Sequence, residues 1–404
     1  MLCGLDQLSG NQYSAQRRRL RDSRVGLLTH SAAIDRHGRS ALAVLEELGV
    51  APKLIFAPEH GFDAVQQAEE PVLSRASTPE FGVNAPVLSL YGTRKEDLSP
   101  REEHLAEIDV LVIDLCDVGS RYYTYVWTAL LSARAARSSG VHTLVLDRPN
   151  PISGDPSSVE GAPQSPDFLS FVGLEPLPIR HALTLGEILA WFFVQDGHEV
   201  GPDTSLSVIP TRGWERLRTA EAWGRPFVGP SPNMPTLETA LVYPGACLIE
   251  GTNLSEGRGT TTPFQTVGAP FLNGPELARE LEATGVLGAW IRPVSFRPTF
   301  EKHAGHVCHG VTLHVTNPQL FRPVATYLSL IAIARRMAGE HFAFRHSPYE
   351  FESDRPAFDL LTGSDRARLA IQDGVSPEEL VSMICPVDPA YRDLVLQAEA
   401  RILG

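Results

Sequence analysis

An acid and an imidazole stand next to each other in the segment Ala57–Phe62, directly after a short apolar run. If that run is a buried strand of a parallel sheet, the segment lies at the carboxyl edge, where ligands bind in open α/β sheets. A partly buried carboxylic acid at such a place is suited to general acid catalysis. A helix cap or a loop salt bridge is the simpler alternative. Glu59 and His60 are therefore catalytic candidates on position alone.

A mixture of acidic, basic and aromatic residues begins at the end of another apolar run, VLVIDL. Asp114 and Asp117 are candidates for a catalytic carboxylate, although an Asp before a helix often serves as its cap. Arg121 carries a planar fork that binds carboxylates with two hydrogen bonds. Tyr122 and Tyr123 offer ring faces with a polar hydroxyl group. Together these residue types are typical of a sugar-binding site.

A loop rich in glycine and hydroxyl groups spans Glu250–Thr262. Glycines in such density predict unusual backbone angles and close polar contacts. Two acids, Glu250 and Glu256, and the cation Arg258 lie within it. A plain surface loop is the alternative, but one with this density of glycine and charge is uncommon. The loop therefore indicates a ligand site, with the two acids as further candidates for catalysis.

The elements that would position these residues follow an α/β pattern. Over the first 150 residues, the short apolar runs VGLL, KLIFA, VLSL, VLVIDL and TLVLD are interleaved with helical patterns such as Ser40–Leu48 and Tyr123–Ser138. Near-continuous apolar strands separated by helices predict a parallel sheet covered on both faces. The sequence lacks G-x-G-x-x-G and the Walker A motif, so this Rossmann-like sheet is not expected to bind a nucleotide. In the strand exit after TLVLD, we expect Asp147 and Arg148 to pair with each other.

The pattern changes after about residue 240. The stretch VCHGVTLHV (307–315) alternates in polarity, which is typical of an antiparallel sheet with one wet face. Helical patterns follow it to the end of the sequence. We therefore predict two domains, a Rossmann-like catalytic domain over 1–238 and a smaller α+β domain over 239–404 that closes the cleft.

Composition excludes several classes of function. The 404 residues include 35 basic and 48 acidic ones, a formal charge of −13, which argues against nucleic acid as a partner. Five scattered cysteines without a C-x-x-C pair indicate no zinc site. The most apolar stretch, ILAWFFV (188–194), is far shorter than the roughly 20 residues of a membrane span. No signal peptide is visible, so the expectation is a cytoplasmic protein. The missing motifs lead us to expect neither a metal nor a nucleotide cofactor.

Ten stretches, in order along the sequence, resemble the NamZ-type exo-β-N-acetylmuramidases of bacterial peptidoglycan recycling, a family long catalogued as a domain of unknown function. They are RVGLLTH (24–30), FAPEHGF (56–62), LSLYG (88–92), DLCDVGSRYYTY (114–125), LDRPNPISG (146–154), FVGLEPLPIRHALTLGEI (171–188), GWERL (213–217), PFVGPSPNMPT (226–236), YPGACLIEGTNLSEGRGTTTPF (243–264) and FRPTFEKHAG (296–305). One departure lies after PEHG, where FDAVQQAEE replaces the family's usual basic-Gly-Asp loop. Contacts of that loop with Glu59 are therefore not implied by the resemblance.

The resemblance implies hydrolysis of a non-reducing terminal N-acetylmuramic acid (MurNAc) from peptidoglycan fragments. The simplest such substrate is the MurNAc–GlcNAc disaccharide. It also implies a cleft between two subdomains, with Glu59 as the leading catalytic acid or base. The alternative is a protein that binds muramyl sugars without cleaving them.

Further roles follow from this implied substrate. Glycosidases usually need a second carboxyl group, for which Asp114, Asp117, Glu250 and Glu256 all stay open. The lactyl carboxylate of MurNAc calls for a fork-shaped cation, for which Arg121 and Arg258 are candidates. The remaining candidates for substrate contact are polar side chains of the resembling stretches, namely Asn150, Asn233, Asn253 and His303.

Overall fold

The computed structural model describes residues 1–77, 82 and 84–403. Its larger sheet has six parallel strands in the order β3-β2-β1-β4-β5-β6. The strands are β1 (Val25–Thr29), β2 (Leu54–Ala57), β3 (Val87–Ser89), β4 (Val110–Asp114), β5 (His142–Leu146) and β6 (Leu206–Ile209). This is the doubly wound order of Rossmann-like sheets. The predicted α/β class is confirmed.

Helices connect most of these strands and cover both faces of the sheet. They are α1 (Gly4–Leu8), α2 (Ser14–Arg21), α3 (Ala41–Glu47), α4 (Glu102–Leu105), α5 (Tyr125–Ser138) and α6 (Leu185–Gln195). The sequence encodes their starts locally. Ser40 accepts a hydrogen bond from the Ala43 N–H at the start of α3. At the start of α6, Thr184 and Glu187 form a reciprocal capping box.

The second domain contains a three-stranded antiparallel sheet in the order β7-β9-β8. Its strands are β7 (Thr266–Ala269), β8 (Ala289–Phe296) and β9 (Cys308–Val315). Its helices are α7 (Leu237–Ala246), α8 (Gly274–Ala283), α9 (Pro323–Ala338), α10 (Ala357–Thr362), α11 (Arg366–Gln372), α12 (Pro377–Ile384) and α13 (Pro389–Leu403). The predicted smaller α+β domain is thus also confirmed.

Helix α9 is the centre of the second domain, and most of its residues are buried. It packs closely on α7, where a Cβ atom at Gly245 would overlap the carbonyl group of Pro323. The close approach of the two helices therefore requires glycine at that position.

Polar contacts also join the two domains outside the parallel sheet. Glu160 accepts a hydrogen bond from the Ala325 N–H at the start of α9, at 3.2 Å. The Tyr391 hydroxyl of α13 donates to the His181 carbonyl at 2.9 Å. In the part of the chain that the structure describes, no helix combines the length and apolar character that crossing a bilayer demands.

Candidate active site

A small cleft lies between the carboxyl edge of the parallel sheet and the second domain. The first domain contributes polar and aromatic side chains, including Glu59, His60, Tyr122, Tyr123, Thr124 and Asn233. The second domain contributes Tyr243, Glu250, Arg258, Phe264, Tyr349 and Glu350. Carboxyl groups therefore enter the same cleft from both domains.

Glu59 follows β2 directly and is only 5% exposed. Its Oε2 atom accepts a hydrogen bond of 2.6 Å from the Thr124 hydroxyl, just before α5. Its Oε1 atom accepts a longer one, 3.4 Å, from the Glu69 N–H. Both partners donate, so the surroundings of Glu59 suit an acceptor carboxylate.

His60 lies beside Glu59 in a strained turn. Its φ is +68°, a left-handed angle that side chains larger than glycine adopt at a cost. Its Nδ1 atom lies 2.8 Å from the Gln66 carbonyl oxygen, which can only accept, so Nδ1 carries the proton. The imidazole therefore holds together the loop that carries Glu59.

The glycine-rich loop forms a buried ionic network. Arg258 donates to Glu250 at 2.7 Å and lies 3.2 Å from Glu256. Lys302 lies 2.9 Å from the other oxygen of Glu256. Burial by itself would raise the pKa of Glu256, but Lys302 and Arg258 outweigh it and the pKa is lowered. Glu256 is therefore a fixed anion that helps to orient Arg258.

Glu250, the other acid of this loop, lines the cleft itself. One of its oxygens is bound to Arg258, and the other accepts a 2.7 Å hydrogen bond from the Tyr349 hydroxyl. Both oxygens of this carboxylate are thus engaged by donors. The arrangement orients Arg258 and Tyr349 at the cleft wall.

Glu350 comes from a turn that the sequence analysis did not single out. Tyr349 and Glu352 exchange two backbone hydrogen bonds of 2.9 Å, and the residues between them, Glu350 and Phe351, have φ values of +45° and +66°. Two consecutive left-handed residues define a type I′ turn, which usually carries Asn-Gly. The Glu350 side chain points inward and accepts a hydrogen bond of 2.9 Å from the Tyr91 hydroxyl.

The surroundings of Glu350 favour its neutral form. Burial raises its pKa well above the usual range, and the negative charges of Glu59 and Glu69 raise it further. The hydrogen bond from Tyr91 acts in the opposite direction but does not reverse the shift. Burial and the neighbouring acids therefore act together against ionisation of Glu350.

Seven of the predicted site residues come together at this cleft. They are Glu59, His60, Tyr122, Tyr123, Asn233, Glu250 and Arg258. Tyr123 packs its ring against Tyr125 and Tyr243, at centroid distances of 4.7 Å and 6.0 Å. Asn233 donates to the side chain of Gln67 at 2.6 Å.

The two aspartates at the end of β4 and just after it are not among the residues that line the cleft. Asp114 is fully buried and binds the Arg148 guanidinium through both oxygens, at 2.5 Å and 2.9 Å. Asp117 accepts from the Gly119 N–H at 2.9 Å and lies 3.3 Å from His181. It borders a separate hollow with Arg148. Both aspartates therefore stabilise the loops that contain their partners, Arg148, Gly119 and His181.

The expected pairing of Asp147 with Arg148 is wrong. Asp147 instead accepts hydrogen bonds of 2.8 Å from the Thr184 hydroxyl and the Gly186 N–H. Consecutive side chains leaving an extended strand point to opposite faces, so these two neighbours meet different partners. Arg148 crosses to Asp114 on the adjacent strand.

The remaining substrate-binding candidates also lie outside the set of cleft-lining residues. Arg121 is fully buried and donates to the carbonyl groups of Ala162, Leu177 and Leu361. Burial lowers the pKa of this guanidinium to about 10. Its fork is thus occupied by backbone acceptors from both domains.

Asn150, Asn253 and His303 likewise have backbone partners. Asn150 donates to the Leu183 carbonyl at 3.0 Å. The Asn253 side chain accepts a hydrogen bond of 2.9 Å from the Ala343 N–H and so links the glycine-rich loop to that residue. His303 lies 2.7 Å from the Asn253 carbonyl oxygen. All three stabilise loops near the cleft.

The fold and the cleft define a two-domain α/β protein with a carboxyl-lined site at the sheet's carboxyl edge. Residues 25–238 match the N-terminal domain, and residues 241–396 the C-terminal domain, of the family described as exo-β-N-acetylmuramidase NamZ. The chain belongs to this family, which confirms the resemblance found in the sequence.

Similar proteins agree with this assignment. The chain is 39% identical over 367 residues to the peptidoglycan β-N-acetylmuramidase NamZ of Bacillus subtilis, covering 91% of this chain and 84% of that protein. It is also similar to two crystal structures of DUF1343 family proteins from Bacteroides fragilis. One has a TM-score of 0.81 at 26% identity and covers 98% of both chains. The other has a TM-score of 0.70 at 25% identity and covers 100% of this chain and 98% of its own.

Proposed function

We propose that this protein is an exo-β-N-acetylmuramidase that releases non-reducing terminal MurNAc from peptidoglycan fragments, with MurNAc–GlcNAc as its simplest substrate. The observation that carries the proposal is the meeting of carboxyl groups from two domains, Glu59 and Glu350, in one cleft. Glycoside hydrolysis typically uses a pair of carboxyl groups flanking the scissile bond. The activity printed in the name of the Bacillus subtilis relative supports the same substrate class.

The other side chains of the cleft fit a muramyl sugar. Arg258 presents a guanidinium at the cleft wall, oriented by Glu250 and Glu256, and this group can bind the lactyl carboxylate of MurNAc. Tyr122 and Tyr123 provide aromatic surface of the kind on which sugar rings pack. These features favour MurNAc over a neutral sugar at the site.

The test is the release of free MurNAc from MurNAc–GlcNAc, followed by chromatography and mass spectrometry. We expect the wild-type protein to release both sugars in equal amounts. Replacement Glu59→Gln should lower the rate by about 10²–10⁴-fold, the usual range for loss of a catalytic acid or base.

The matched control is Glu199→Gln, which changes an exposed acid that does not line the cleft. It should leave the rate unchanged. Binding of the disaccharide without release by the wild-type protein would instead indicate a sugar-binding protein and contradict the proposal.

A further inference from the structure

We propose that Glu350 is the second carboxyl group of the reaction and donates the proton to the leaving oxygen, while Glu59 acts as the carboxylate that accepts one. This inference rests on the proposed glycosidase function. It adds a catalytic residue from the second domain that lies outside the motifs singled out in the sequence.

The two acids enter the cleft from different domains. Glu59 enters the cleft from the end of β2, and Glu350 enters it from the turn in the second domain. A glycosidic bond held between the domains would thus have one carboxyl group contributed from each domain. Glu250 and Glu256 do not fill this role equally well, because both are bound to Arg258.

The charges around Glu350 are mostly negative. The acids Glu59, Glu69 and Glu250 all act on it. The nearby cations are already engaged, because Arg345 pairs with Glu69 at 2.9 Å. Arg258 in turn pairs with Glu250 at 2.7 Å. Among the described residues no cation forms an ion pair with Glu350, so the neutral acid is its favoured form.

Glu59 is surrounded by hydrogen-bond donors. Its two hydrogen-bond partners, the Thr124 hydroxyl and the Glu69 N–H, both donate to it. These donors match the role of proton acceptor that the proposal gives to Glu59.

The backbone at Glu350 is strained. A glutamate at φ +45° and a phenylalanine at φ +66° replace the residues that a type I′ turn normally uses. Such strain persists where the surroundings hold it in place, often at functional sites. Here Phe351 anchors the turn, with its ring 5.4 Å from that of Tyr91 and 6.1 Å from that of Phe171. The anchored turn fixes the position of Glu350.

The chemical step balances with these two groups and water. Glu350 gives its proton to the glycosidic oxygen as the bond from that oxygen to the anomeric carbon breaks. The bonding electron pair stays with the oxygen, and GlcNAc leaves as a neutral alcohol. Water then forms the new bond to the anomeric carbon and gives its proton to Glu59. Proton exchange with solvent restores the starting forms of both residues.

The test compares two substrates that differ in their need for a proton donor. MurNAc–GlcNAc has a poor leaving group, whereas 4-nitrophenyl β-MurNAc releases a stable phenolate. For Glu350→Gln we expect a loss of about 10²–10⁴-fold in kcat/KM on the disaccharide. On the aryl glycoside the loss should be less than about tenfold, because the leaving group needs no proton. Glu59→Gln should lower kcat/KM strongly on both substrates.

The matched control is Glu352→Gln, in the same turn but bound to Lys95 and Arg355 outside the cleft. It should keep wild-type rates on both substrates. Equal losses on both substrates for Glu350→Gln, or near wild-type cleavage of the disaccharide, would overturn the inference. Failure of the wild-type protein to cleave either substrate would instead overturn the proposed function.

A second variant keeps the test independent of folding defects. Tyr91→Phe removes a hydrogen bond that favours ionised Glu350, so the acid should keep its proton to higher pH. The alkaline limb of the kcat/KM profile on the disaccharide should therefore move to higher pH. An unmoved limb in a variant with a wild-type unfolding temperature would contradict the role of Glu350 as the proton donor.

Discussion

Two glutamates of the second domain show how neighbours decide the charge of a buried acid. Glu256 and Glu350 are both almost fully buried. Glu256 has two cations within 3.2 Å, and its pKa is lowered. Glu350 is surrounded by other acids, and its pKa is raised. Since burial acts on both in the same direction, the charged neighbours account for the difference. The surroundings of Glu256 therefore favour its ionised form, and those of Glu350 favour its protonated form.

The two arginines proposed for the lactyl carboxylate should differ in what they affect. Arg258 lines the cleft, whereas Arg121 binds three backbone carbonyl groups. We expect Arg258→Lys to raise KM for MurNAc–GlcNAc about tenfold, because lysine keeps the charge but loses the two-pronged geometry. Steady-state kinetics measures this directly.

Arg121→Lys is the matched comparison. It should leave KM unchanged and lower the free energy of unfolding by about 1–3 kcal/mol, because buried carbonyl groups lose hydrogen-bond partners. Denaturant unfolding provides the measurement. A raised KM for Arg121→Lys with normal stability would instead indicate that Arg121 contacts the substrate.

At the scale of elements, the parallel sheet could be predicted because strands buried on both faces leave continuous apolar runs, such as VLVIDL at β4. The loops carrying Glu59 and Arg258 were also found, since glycine, proline and charge concentrate there. The turn carrying Glu350 was missed because its residues lack the Asn-Gly signature that usually marks such a turn. The partners of Asp114 and Arg121 could not be foreseen, since they depend on contacts between distant segments.

The glycine-rich loop depends on the backbone at Gly257, between Glu256 and Arg258. Its φ is +77°, and a Cβ atom there would lie 2.6 Å from the Thr266 carbonyl oxygen. Gly257→Ala must therefore displace the loop. We expect it to lower both the unfolding temperature and kcat/KM, because Arg258 loses its orientation.

Gly140 offers the control for this prediction. It follows α5 with a φ of +73°, but no atom of the described residues lies within 4 Å of its Cβ position. Gly140→Ala should cost only the roughly 1–2 kcal/mol of a left-handed alanine and leave kcat/KM unchanged. If the two variants lose the same stability and both keep the wild-type kcat/KM, the close contact at Gly257 does not affect catalysis.

At the scale of the whole molecule, buried polar contacts hold the two domains together. Arg121 of the first domain reaches the Leu361 carbonyl in α10. Glu160 of the first domain accepts from Ala325 in α9. At the cleft, the buried hydrogen bond from Tyr91 to Glu350 also joins the domains, together with partly exposed ion pairs such as Arg345 with Glu69. Exposed pairs contribute little stability, so the buried contacts dominate the coupling between domains.

Glu160 should make this coupling depend on pH. Burial raises its pKa to about 7, and Arg180 and Arg322 offset only part of that effect. The folded protein therefore binds this proton more tightly than the unfolded chain, whose glutamates titrate near 4.3. The resulting stability is fully present below that value and is lost as the pH rises through about 7.

Wild-type protein should thus unfold more easily at pH 8 than at pH 5. Glu160→Gln keeps an acceptor for the Ala325 N–H but does not titrate, so its decline between these pH values should be smaller by about 2 kcal/mol. Part of the decline should remain, because Asp147 is also buried with a pKa raised to about 7. Denaturant unfolding at several pH values measures the difference, with Glu199→Gln as the exposed control. An identical pH dependence in Glu160→Gln and wild type would mean that Glu160 is already ionised at pH 5, with its charge compensated by Arg180 and the start of α9.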